Sequence, residues 1–232
     1  MTDYDSTINT SGFLLLDKPS GPTSHDMVYR LRRITGIKKI GHAGTLDPLA
    51  SGLLIMAISR AATKQIASLA KQDKVYEAVF QLGGTSDTED RLGQIQPRTI
   101  KQIPDIKEIQ LALNSFIGQT AQIPPMHSAK KIGGKKLYEL ARKGQIIERQ
   151  PNLITIYKID LLDYAWPQLK LTIHCSAGTY IRSIARDLGE KLGCGAYLAE
   201  LRRTTIGNYS VTKAVSPDKL TAENWTEYLL NN

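Results

Sequence analysis

The chain has 232 residues, of which 41% are apolar and 22% charged, proportions that exclude a disordered protein and allow a sizeable buried core. Its formal net charge of +8 at pH 7 and its pI near 9.4 favour an anionic partner, nucleic acid first of all. No run of about 18 apolar residues exists, which excludes a membrane-spanning helix. The polar opening MTDYDSTINT excludes a secretory or basic transit peptide, and residues 1–11 are expected to be a frayed tail. Cys175 and Cys194 have no metal-ligand spacing around them, so two buried thiols in a cytoplasmic protein are expected.

Phe13 to Leu16 reads as a short buried strand that ends in the rigid turn DKPSGPTS, Asp17 to Ser24. Ser24 is placed to cap a helix that carries Met27, Leu31 and Ile34 inward and stops at Gly36. Arg30, Arg32 and Arg33 then point outward, followed by Lys38 and Lys39, either as a solvated face or as phosphate contacts. Gly36 to Gly41 has the glycine spacing of a phosphate-binding loop, but His42 stands where that motif needs lysine, so no nucleotide cofactor is implied.

Gly41 to Gly52, GHAGTLDPLASG, packs glycines, one imidazole and one carboxylate into a stretch expected to be a shaped loop rather than a helix or a paired strand. Asp47 precedes Pro48 and is therefore extended. It is either a turn former or, at the mouth of the apolar strand Leu53–Ser59, a carboxylate for covalent or acid/base work.

An amphipathic helix is expected over Ala61–Ala70. The next segment, Lys74–Leu82, alternates as a half-buried strand with Tyr76, Ala78, Phe80 and Leu82 on the inner face. Asp87, Glu89 and Asp90 fit no calcium-loop spacing and read as a solvated loop. Pro104 and Asp105 open a helix with Ile106, Ile109, Leu113 and Phe116 on one stripe, ended by Gly118. Residues 122–150 follow, rich in lysine and broken by Gly133 and Gly134, and suit an arm that closes over an RNA backbone. Two strands, Leu153–Leu162 and Leu169–Cys175, lead to a helix with Ile181, Ile184, Leu188 and Leu192 inward. Arg182 starts that helix at the end its dipole disfavours for a cation, which points to a specific anionic partner. A capping helix is expected around Trp225–Leu230. Neither a regular β-α repeat nor all strands, the order implies an α+β fold, a large mixed and mostly antiparallel sheet flanked by helices.

Several of these blocks resemble the bacterial tRNA pseudouridine-55 synthases, the TruB family. GHAGTLDPLASG holds every fixed residue of that family's active-site loop, and DKPSGPTS, the Lys74-Val75-Tyr76 strand, the basic 122–150 stretch and SAGTYIR follow in the family's order. The resemblance implies a pseudouridine-synthase fold over a single catalytic domain, 12–232, with an RNA-gripping insertion at 122–150. Many relatives append a small RNA-binding domain, but the stretch after Ile206 is too short for one, so no C-terminal accessory domain is expected. It implies isomerisation of uridine 55 in the T loop of tRNA by a monomer, through base flipping and without metal or organic cofactor. Asp47 becomes the nucleophile, Arg182 its charged partner, and Tyr76 the ring against the uracil and the base for its C5 proton. His42 fills the vacated stack, while Tyr180 and Leu201 line the base, and Lys18, Lys130, Lys135 and Lys136 contact or brace RNA. His127 departs from the aromatic residue common there. A synthase for another RNA site and a non-catalytic tRNA-folding module are the alternatives.

Overall fold

A computed structural model of the chain describes residues 11–128, 131–132, 134–141, 144–145 and 147–230. Nearly all of the expected tail, and Lys130, lie outside these residues. The described residues form two compact units, one from Met1–Gln72 with Arg203–Asn232, the other from Asp73–Arg202. Among them no helix is long and apolar enough to cross a membrane.

The first unit starts with β1 (Gly12–Lys18), α1 (Ser24–Thr35), β2 (Ile40–Ala43), β3 (Ser51–Ile58), α2 (Arg60–Thr63) and α3 (Ile66–Ala70). β3 is antiparallel to β1, with Leu54 opposite Leu16, and to β2, with Met56 opposite His42. It is buried from Gly52 to Ile58, which explains its continuous apolar run. The cap of α1 is Thr23 rather than the expected Ser24. The Thr23 hydroxyl accepts from Asp26 N at 3.1 Å and the Asp26 carboxylate accepts from Thr23 N at 2.7 Å, a reciprocal capping box. Gly36, at φ 71°, ends the helix. The helix expected over 61–70 is instead two short ones. Thr63 Oγ1 donates to the Arg60 carbonyl at 3.0 Å and so competes with the ladder where α2 stops.

The second unit holds β4 (Lys74–Leu82), β5 (Gly84–Ser86), β6 (Ile95–Pro97), α4 (Ile106–Asn114), β7 (Gly118–Gln122), β8 (Lys131–Ile132), β9 (Lys135–Lys136), α5 (Leu137–Ala141), β10 (Asn152–Ala165), β11 (Gln168–Cys175), α6 (Ile181–Lys191) and most of β12 (Ala196–Ile206). Its strands run β12–β4–β11–β10–β7, and the pairs β4–β11, β11–β10 and β10–β7 are antiparallel. Tyr76, Ala78, Phe80 and Leu82 are all buried on β4, as their alternation requires; each large apolar side chain so placed contributes about 1.5–3 kcal/mol. On α4 the buried stripe is Ile109 and Leu113, whereas Ile106 is mostly exposed and the helix stops at Asn114, ahead of Gly118. The fold is α+β.

From Arg203 the chain is again in the first unit, where β13 (Tyr209–Ser210) pairs with the end of β12. The expected capping helix is a 3-10 turn over Trp225–Tyr228, with Trp225 buried. Val215 N donates to Leu15 O at 2.9 Å and Leu230 N to Phe13 O at 2.8 Å, so these late residues complete β1. Phe13, Leu15, Leu53, Ile55 and Ile206 share this unit's core.

In the second unit α6 meets β12 at Gly189, where an added Cβ would lie 2.0 Å from Ala196 N. Gly189→Ala is therefore expected to lose about 1–3 kcal/mol, read as a lower urea midpoint. An unchanged midpoint contradicts the tight approach.

Candidate active site

The loop between β2 and β3 begins at Gly44, φ 76°, and Gly52, φ 102°, follows it as the second residue of β3. Gly41 to Ala43, expected to belong to the loop, are instead a strand paired to β3. Side chains from the DKPSGPTS turn hold the loop. Leu46 N donates to Ser24 Oγ at 2.8 Å, and that hydroxyl donates to Leu46 O at 3.1 Å. Ser20 Oγ donates to Leu49 O at 2.8 Å and Gly21 N to Pro48 O at 2.8 Å. Ser24 is thus taken up by the loop, which leaves the helix cap to Thr23. Leu46, Leu49 and Ala50 are buried while Asp47 between them is half-buried, so the backbone on both sides of the carboxylate is fixed.

Arg203 reaches this loop from β12. It is buried, its Nε donating to Leu53 O at 2.8 Å and its Nη2 to Gly44 O at 2.8 Å. At Gly52 a Cβ would lie 2.3 Å from Arg203 O, so only glycine admits the strand that carries this arginine. By resemblance alone, Ala196 to Arg203 brings Leu201 and two arginines to one side, and Arg203 is one of the two.

Two further predicted residues lie in the same unit. Lys18 is fully buried, its ammonium donating to Pro19 O at 2.8 Å and Pro22 O at 2.7 Å, which braces the turn. Burial lowers its pKa from 10.5 to about 8, against the opposing pull of the Asp47 charge and with help from Arg203. His42 on β2 is half-buried, and burial, then Arg203 and His25, hold its pKa below the usual 6.5. Its Nδ1 is buried with no hydrogen-bond partner among the described residues.

Tyr76, Tyr180, Arg182 and Leu201 lie in the second unit. Tyr76 is buried on β4, opposite Ile173, and Leu201 is buried on β12. Tyr180 is the N-cap of α6 without a side-chain cap bond. Its backbone is instead read at both groups by Gln122 of β7, whose Nε2 donates to Tyr180 O at 3.0 Å and whose Oε1 accepts from Tyr180 N at 2.8 Å. Gln122 is a positioning residue that no local pattern announced.

Within the second unit Arg182 forms an ion pair with Asp90, whose carboxylate lies 3.6 Å from its Nη1. Arg182 also donates to Thr88 O at 3.1 Å and His127 O at 2.9 Å, so His127 contributes its carbonyl here. Next to it, Glu89 accepts from Ser183 Oγ at 2.9 Å and pairs with Arg186. The expectation of a solvated loop over Asp87–Asp90 is thereby overturned. Glu89 and Asp90 are buried, drawn in by two arginines one helical turn apart on α6, and only Asp87 faces solvent. Lys135 and Lys136 form the β9 half of the β8–β9 hairpin.

Residues 32–181 match the sequence model of the TruB family pseudouridylate synthase N-terminal domain, and residues 182–231 that of the tRNA pseudouridylate synthase B C-terminal domain. Fold and matches together define a pseudouridylate synthase. The tRNA pseudouridine synthase B of Chlamydia abortus is 50% identical over 204 residues, covering 88% of this chain and 86% of that relative. Its counterpart in Clostridium novyi is 46% identical over 222 residues, covering 95% of this chain and 76% of the relative. Among solved structures, one from a Cbf5-Nop10-Gar1 complex superposes with a TM-score of 0.67 at 30% identity, and this chain covers 52% of it with 88% of its own length. Another, from an H/ACA RNP bound to a substrate RNA containing 2'-deoxyuridine, has a TM-score of 0.68 at 28% identity, over 93% of this chain and 55% of that one. The chain belongs to the TruB family.

The buried ammonium gives a pH prediction. Because Lys18 holds its proton less well when folded, the unfolded chain binds more protons between about pH 8 and 10.5, and this group's contribution to stability rises with pH across that window. Carbon-13 NMR of labelled lysine is expected to show one side chain titrating near 8, lost in Lys18→Met; a Lys18 midpoint above 10 contradicts its burial. Arg203→Met is expected to lose about 1–3 kcal/mol by stranding carbonyls, seen as a lower thermal midpoint, and a midpoint equal to the parent's contradicts the clamp.

Proposed function

We propose that this chain isomerises uridine to pseudouridine at position 55, in the T loop of tRNA, with Asp47 as the group that opens the glycosidic bond. The curated relatives act under the name tRNA pseudouridine synthase B. The observation that carries the residue assignment is the half-buried Asp47, held by backbone bonds on both sides in a loop that keeps every fixed residue of the family pattern.

In a stacked base C1′ and C6 are out of reach, so the nucleotide must leave the helix at a cost of a few kcal/mol. His42, neutral at pH 7 because its pKa is lowered, supplies a flat uncharged ring for the vacated place. Lysines of the 122–150 arm, with Lys135 and Lys136 on β9, offset the cost through phosphates. Asp47 attacks, the C1′–N1 bond breaks, and the freed uracil turns in place between Tyr76, Tyr180 and Leu201. A C1′–C5 bond forms and the bond made by Asp47 breaks to free the carboxylate, the C5 proton leaves through Tyr76, and N1 takes up one proton. Atoms balance without a second carboxylate, unlike glycoside hydrolysis with its acid–base pair. Arg182 holds the Asp47 carboxylate in this reading, and a monomer suffices for the whole cycle.

Asp47→Asn is expected to keep tRNA affinity while tritium release from C5-labelled uridine falls by at least about a thousandfold. Retained turnover removes Asp47 from the reaction.

A further inference from the structure

The outward face of α1 carries a second group of side chains suited to RNA, apart from Asp47. Tyr29 is 54% exposed. The Arg32 guanidinium lies over its ring, 5.7 Å from the centroid, and His25 meets it edge-on at 4.7 Å. Tyr29, Arg30 and Arg33 line a cavity of about 930 Å³ whose other wall is the Leu220–Ala222 segment of the same unit. Arg30 pairs with Asp218 at 2.8 Å on the surface, whereas Arg33 has no ion pair among the described residues. Lys38 and Lys39 continue the positive edge beyond Gly36.

We infer that this face holds an unpaired nucleotide of the RNA substrate, outside the loop that carries the target uridine. A duplex backbone offers phosphates alone, and lysines and arginines suffice for it. An exposed tyrosine backed by a guanidinium, opening on a cavity with an apolar wall, takes the π-face of an unstacked base while Arg33 meets its phosphate. The place also argues for a separate segment. The start of α1 is tied to the Asp47 loop through Ser24 and Leu46, and Arg33 lies about 13 Å further along the helix axis. The inference rests on the RNA substrate proposed above.

The test compares whole tRNA transcript with an isolated T-arm hairpin, in fluorescence binding and in turnover, for the parent chain, Tyr29→Ala, Tyr29→Phe and Arg33→Gln. Each position is exposed, so thermal midpoints are expected to match. Tyr29→Ala should bind whole tRNA roughly tenfold more weakly and Tyr29→Phe like the parent. Arg33→Gln should reduce the slope of log affinity against log salt by about 0.7. Hairpin affinity and turnover at saturating RNA should stay unchanged in all three. Unaltered tRNA affinity in Tyr29→Ala and Arg33→Gln, or an equal loss on the hairpin, overturns the second site while parent turnover leaves the proposed reaction standing. A parent chain that makes no pseudouridine removes both.

Discussion

One buried guanidinium ties together the two ends of the loop that carries Asp47. Arg203 donates to Gly44 O at the start of that loop and to Leu53 O just past its end, at 2.8 Å each. A buried cation costs several kcal/mol in lost hydration and persists only where hydrogen bonds meet it in good geometry. Here they are met by carbonyls, and the absent side chain at Gly52 lets the β12 backbone come close enough to deliver them. Around this clamp the DKPSGPTS turn adds Ser20, Gly21 and Ser24, so the loop is held from a strand on one side and a turn on the other. Asp47 needs no conformational search of its own, because everything that flanks it is already fixed.

The charges near the loop follow from the same packing. Burial first, and the Arg203 charge after it, make both Lys18 and His42 hold their protons less well than in water. His42 is thereby a neutral ring at pH 7, which suits insertion among stacked bases better than an imidazolium would. The second unit works by a related device. Arg182 and Arg186 on α6 draw Glu89 and Asp90 out of solvent and collect the carbonyls of Thr88 and His127, which orders a loop and the start of the basic arm around one helix.

Local patterns in the sequence foretold the apolar strand β3, the alternation of Tyr76 to Leu82 and the stripe of α6, because period and polarity decide those elements directly. They also singled out Asp47 and Arg182 as groups in unusual places, before any family likeness was considered. What they missed came from contacts between distant positions. Ser24 lost its capping role to a loop more than twenty residues away, and Glu89 and Asp90 looked solvated because their arginines stand on α6. Gln122 and Arg203 are polar residues whose work is done on another segment's backbone, and nothing next to them in the chain announces it. Polar groups in a core are defined by partners, and partners are a property of the fold.

The most direct test of this account is a crystal structure of the chain with a T-arm hairpin bound. The account predicts that the target uridine is swung out of its stack, with C1′ and the pyrimidine ring against the Asp47 carboxylate and His42 in the vacated place. A target base that stays stacked, or one that is flipped into a different pocket with Asp47 untouched, would contradict it.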